Sequence, residues 1–146
     1  MLKVMIGFTV SLMGHVDRIN KRINKYLRAR MEMIKPEPTL GLFNFRCFDN
    51  AVEYQRRYPE MEVIEVIYIE HEYPILHYIN RDPVDGSYRE TTLGWQAPHL
   101  EYYFIRKIHP QDYPYIKTEF ERSLEHWLEE YTNWFQRHIL RIKRIL

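Results

Sequence analysis

Apolar positions in this chain recur at two spacings, and the change from one to the other marks out the expected elements. Lys3–Val10 carries β-branched and aromatic residues and predicts a first strand. Gly14 punctuates that run. A helix is then expected from Val16 to Ile34, with Val16, Ile19, Ile23, Tyr26, Leu27 and Ile34 on one stripe, and Pro36 and Pro38 stop it. Leu40–Phe48 reads as a second strand, with Cys47 inside it as a small core residue. Asp49 stands where an N-cap belongs, before a short helix, Asn50–Tyr58, closed by Pro59.

Four short strands are expected next, at Met61–Glu70, Pro74–Asn80, Ser87–Trp95 and Leu100–Ile108. The separators between them are turn-like, and connections this short favour an antiparallel meander. Asp112 and Pro114 open the last expected element, a helix running to Leu146. Its apolar stripe passes through Ile116, Phe120, Leu124, Trp127 and Tyr131 and continues to Ile145. Acidic residues fill its first half and basic residues its end, as the helix dipole favours. The predicted fold class is α+β: a single mostly antiparallel sheet, in the order β-α-β-α-β-β-β-β-α, packed by helices and ending in a long C-terminal helix. The order resembles the helix-grip fold, in which a curved sheet wraps a C-terminal helix, although no motif extends the resemblance to a family. With no linker, low-complexity tract or repeat, residues 1–146 are expected to form a single domain.

The C-terminal helix, if unbroken, would measure ~50 Å, against a body roughly 40 Å across for a domain of this size. Its overhang would carry Ile139, Ile142, Ile145 and Leu146, which makes them the expected interface of a homo-oligomer.

Composition narrows the function classes. Net charge is +1, so no global field draws the chain to nucleic acid or membrane, and an electrostatic partner must meet a local patch. Such a patch is expected on the first helix, where Arg18, Lys21, Arg22, Lys25 and Arg28 project opposite the apolar stripe. The run Arg18-Ile19-Asn20-Lys21-Arg22-Ile23-Asn24-Lys25 repeats a four-residue unit and stacks like residues in neighbouring turns. Arg and Lys hold phosphates, and Asn and Arg read base edges. A solvated helix face is the competing use of such a stripe.

Aromatic residues make up 15% of the chain, and Tyr102 and Phe104 are expected on one face of their strand with Tyr103 on the other. Both faces must then be covered. Glu70-His71-Glu72-Tyr73-Pro74-Ile75-Leu76-His77 gathers proton-transfer groups at a hairpin; a loop at Tyr73-Pro74 would set Glu70 opposite His77. His99 and Glu101 are expected to share a strand face. None of these spacings supplies a metal site, a nucleophile elbow or a phosphate-cradling loop, so no metal, cofactor or catalytic set is expected. Asp82 and Asp85 with Gly86 read as a hairpin turn rather than half a calcium loop.

Cys47 is the single cysteine, which favours a reducing compartment. The apolar segment Met1–Met13 is too short for a membrane span and lacks a cleavage site, so a buried strand in a cytoplasmic protein is expected. The leading expectation is a non-enzymatic binding or assembly module whose basic helix contacts nucleic acid. The alternative is a small-ligand binder or enzyme with an aromatic-lined cavity between the sheet and the C-terminal helix.

Overall fold

The computed structural model describes residues 2–44 and 46–116. The chain divides into two compact units, Met1–Ile19 with Gln111–Leu146, and Asn20–Pro110. The first element is a helix, α1, spanning Leu2–Arg30, so the first strand expected over Lys3–Val10 is replaced by helix. The sequence supports both periods there. Leu2, Val4, Ile6, Phe8 and Val10 alternate, but Leu2, Met5, Ile6, Thr9, Leu12 and Met13 also fall three and four apart. Extending an existing helix needs no new nucleus, and Gly14 costs only about 1 kcal/mol in a helix interior.

The second unit is built on a six-stranded sheet. Its strands are β1 (Met33–Ile34), β2 (Glu37–Pro38), β3 (Glu62–Glu70), β4 (Tyr73–Arg81), β5 (Tyr88–Glu90) and β6 (Glu101–Ile108), in the spatial order β1-β6-β3-β4-β5-β2. The sheet is mixed rather than mostly antiparallel: β2 lies parallel to β5, beside antiparallel pairs elsewhere. The expected meander also stops at β5. A 3-10 helix, Gly94–His99, takes the chain away, and β6 returns to pair with β3, which is the 4-1-2-3 order of a Greek key.

The two outermost strands are joined by Lys35 and Pro36 alone. Three Cα–Cα steps reach at most about 11 Å, whereas five inter-strand spacings in a flat sheet span about 24 Å. The sheet must therefore curl until one segment, Met33–Pro38, closes it. Ile34 pairs with Tyr102 on β6, and Glu37 pairs with Arg89 on β5. Burial of Ile34 and Pro36, with Met33, Lys35 and Glu37 exposed, matches a strand lying across the seam.

Inside the curl, Ile34, Ile64, Val66, Tyr68, Ile79, Ala97 and Tyr102 form the core. On the outer face, Leu27 of α1 packs on Ile69 and Tyr103, with Ile23, Met31, Ile67 and Ile105 around them. Tyr102 and Tyr103 thus serve opposite faces, as the strand period requires. A second helix, α2 (Cys47–Arg57), covers β4: Phe48 meets Tyr78 edge-on, with ring centroids 5.0 Å apart, and the Asn80 amide donates to the Ala51 carbonyl at 2.9 Å. Residues 40–44 have no regular structure and α2 begins at Cys47, so the strand expected over Leu40–Phe48 is absent. Asp49 does not cap α2; its carboxylate takes the Arg46 guanidinium instead.

The long C-terminal helix and the interface residues Ile139, Ile142, Ile145 and Leu146 lie outside the described residues. Asp112 and Pro114 sit in a 3-10 helix, Pro110–Tyr115. The helix-grip resemblance depended on the first strand, now helix, and on the C-terminal helix. Among the described residues, no helix is long and apolar enough to cross a membrane.

Candidate functional site

Two groupings of chemically capable side chains emerge, and the first lies along α1. Lys21, Arg22 and Lys25 are exposed, and none of them forms an ion pair with a described residue. Arg18, in the other unit, is also exposed, and its Nε donates to the Gly14 carbonyl at 3.1 Å. Arg28 is committed elsewhere. Its guanidinium reaches Glu72 and Glu101, both at 3.0 Å, and holds both carboxyls below the usual carboxylate range. An open groove of about 440 Å³ runs beside these residues, lined by Lys21, Asn24, Lys25, Arg28, Ala29 and Glu72. With Arg28 paired to Glu72 and Glu101, Lys21 and Lys25 are the cations that leave its lining positive.

Asn24 does not stand out with the cations. It is 1% exposed, and its amide nitrogen donates to the Glu72 carbonyl at 2.8 Å and the Glu72 carboxylate at 3.2 Å. That contact secures the β3–β4 turn. The turn is His71-Glu72, with φ of 49° and 66°, and β3 and β4 pair from Glu70↔Tyr73 onward. Positive φ at both central residues is the type I′ pattern, usually carried by Asn-Gly. The Asn24 and Arg28 contacts help offset the strain of placing His and Glu there. The two-residue turn shifts the expected register, so His77 faces Val66 rather than Glu70. His99 ends the 3-10 helix and is exposed, whereas Glu101 is on β6, so they do not share a strand face.

The second grouping is inside the curled sheet. Glu90 of β5 is fully buried and His77 of β4 is 3% exposed; His77 Nε2 and Glu90 Oε2 are 2.8 Å apart. The Tyr102 hydroxyl donates to the same oxygen at 3.0 Å, and the Thr92 and Leu93 N–H groups donate to Oε1 at 2.7 and 3.1 Å. Burial opposes ionisation of Glu90, but His77 and the two backbone donors outweigh it and hold the carboxyl below its ordinary range. Burial likewise opposes the charge on His77, yet Cys47 and Glu90 raise it to about 9. Cys47, the first residue of α2, is half-buried. Tyr68 packs edge-on against His77, and burial pushes its phenol up to about 12.

Glu90 carried no signal in the sequence when taken alone. The clue was joint: an acid and a histidine at interior-facing positions of neighbouring strands, which only the β4–β5 register brings together. The Asp82–Gly86 segment is the expected turn, with Asp82 and Asp85 accepting from the Val84 and Ser87 N–H groups. No cluster of three or more His, Cys, Asp or Glu suited to a metal occurs among the described residues. The aromatic-lined cavity expected against the C-terminal helix involves residues outside those described. No protein-family model matches the chain, and neither a curated protein nor a solved structure shows significant similarity to it.

Proposed function

We propose that this protein is a binding module that holds nucleic acid by its phosphates, through Lys21, Arg22 and Lys25 on the solvent face of α1. The observation that carries the reading is the contrast between these three residues and Arg28. Arg28 is neutralised by two carboxylates, whereas the three have no ion-pair partner among the described residues, and Lys21 and Lys25 line an open groove beside them. Net charge is only +1, so attraction must come from this local face. Burial of Asn24 removes one candidate base reader, which supports backbone contact rather than sequence readout. Fluorescence anisotropy with labelled single-stranded and duplex oligonucleotides at low salt tests the reading. Binding is expected for the native chain and a marked loss in the Lys21→Ala/Arg22→Ala/Lys25→Ala variant. Equal binding by both proteins, or none by either, would remove it.

A further inference from the structure

Tyr26 stands on the solvent side of α1, although the sequence places it on the apolar stripe. It is 61% exposed, whereas Leu27 beside it is 2% exposed and anchors the helix on β3 and β6. Four residues turn a helix about 40° past one full turn and advance it about 6 Å. Arg22 and Arg30 therefore flank the phenol on the turns before and after it. Arg30 is exposed and, like Arg22, has no ion-pair partner among the described residues. Nor does any described ring or guanidinium stack on Tyr26, whereas exposed Tyr58 leans on Tyr54 with centroids 4.7 Å apart. Lys21 and Lys25 run beside this row, on the side of the open groove. A helix face that only met water would gain nothing from a bare aromatic ring among unpaired cations. Single-stranded nucleic acid uses both, since its phosphates meet the cations and its unpaired bases present ring faces for stacking.

We propose that Tyr26 is a base-stacking platform and that the ligand of this face is single-stranded nucleic acid. Arg22 and Arg30 hold phosphates on either side of the stacked base, and Lys21 and Lys25 hold others. The inference rests on the phosphate-binding reading above and adds to it the class of strand. In a duplex the base faces are covered by their neighbours, so a tyrosine on the side of a helix meets only phosphates, sugars and groove edges. In a single strand the same ring takes a base against its face, whatever the base, because every base has a π-face. Stacking of one base is worth about 5- to 150-fold in affinity by alanine substitution. It involves no counterion, so it changes affinity without changing the salt slope, which counts neutralised phosphates.

The probes are a labelled oligothymidylate and a labelled DNA duplex, titrated by fluorescence anisotropy at several salt concentrations with native protein, Tyr26→Ala and Tyr26→Phe. Tyr26 is exposed, so neither substitution disturbs the core. Tyr26→Ala should weaken oligothymidylate binding about 5- to 150-fold with its salt slope unchanged, and should leave duplex binding as it was. Tyr26→Phe should keep most of the native affinity, because the ring and not the hydroxyl makes the stack. Oligothymidylate binding that survives Tyr26→Ala would overturn the inference while leaving the phosphate reading in place. An equal loss on both probes would overturn it too, since the ring would then serve the helix and not a base. Absence of binding to either probe by the native chain would overturn the phosphate reading and this inference with it.

Discussion

Glu90 keeps its charge in the core because four donors converge on it: His77, the Tyr102 hydroxyl and two backbone N–H groups. Removing one member of such a pair strands the other. Glu90→Ala should therefore cost about 3–5 kcal/mol in urea unfolding, far more than loss of a surface charge. Replacing both His77 and Glu90 by leucine would not restore stability, since Tyr102 and the two N–H groups would lose their acceptor. The pair also sets a pH window. Glu90 is lowered from 4.5, so its contribution is complete above that value and fades as pH falls through the folded pKa. His77 is raised from 6.5 to about 9, so its contribution is complete below 6.5 and fades as pH rises through 9. Both are fully present only between 4.5 and 6.5. The facing groups are Glu90, Cys47, Tyr68 and Tyr102; burial, with Glu90 among the lesser causes, holds both phenols up, so neither ionises near pH 9. Thermal melts should show a larger fall in Tm from pH 6 to pH 10 in the native protein than in His77→Gln. At the β3–β4 turn, buried Asn24 should outweigh exposed Arg28. Asn24→Ala should cost about 1–2 kcal/mol, with Arg28→Ala costing less because water screens its partners; parallel melts of the two variants decide the order.

At the scale of elements, β3, β4 and β6 were legible because long apolar stretches bounded by turn residues leave little choice of period. The Asp82–Gly86 turn was legible for the same local reason. What failed was non-local or ambiguous. Lys3–Val10 fits both a strand and a helix, and the residues alone contain nothing to choose between them. The closing segment Met33–Pro38 is too short to register as strand, and its meaning lies in its partners on both sheet edges. The basic face was legible as a stripe, but Glu72 and Glu101 come to Arg28 only through tertiary structure, as Glu72 does to Asn24. The helical assignment of the N-terminal segment has its own test at Gly14, where an added Cβ would meet nothing within 4 Å. Gly14→Ala should raise ellipticity at the helical minimum and add roughly 0.5–1 kcal/mol to helix stability. A loop glycine between a strand and a helix would give no gain in helicity.

For the second unit as a whole, closure is what makes a small sheet self-sufficient. Pairing both edges with one segment leaves fewer strand groups open to another chain, while α1 and α2 cover outer faces of the sheet. Ile34 lies at the seam with 6% exposure and belongs to the interior core. Ile34→Ala should therefore cost about 2–5 kcal/mol, measured by urea unfolding, whereas truncating exposed Met33 beside it should cost far less. Closure also gives α1 a fixed platform, since Leu27 is anchored on β3 and β6 while Lys21, Arg22 and Lys25 stay in solvent. The binding account is tested most directly by the salt dependence of oligonucleotide affinity, compared between the native chain and the Lys21→Ala/Arg22→Ala/Lys25→Ala variant. Each neutralised phosphate steepens the log–log slope by about 0.9 on duplex DNA and about 0.7 on a single strand. Three contacts should make the native slope steeper than the variant's by roughly 2–3. Parallel slopes in the two proteins would contradict the account, because the cations of α1 would then release no counterions on binding.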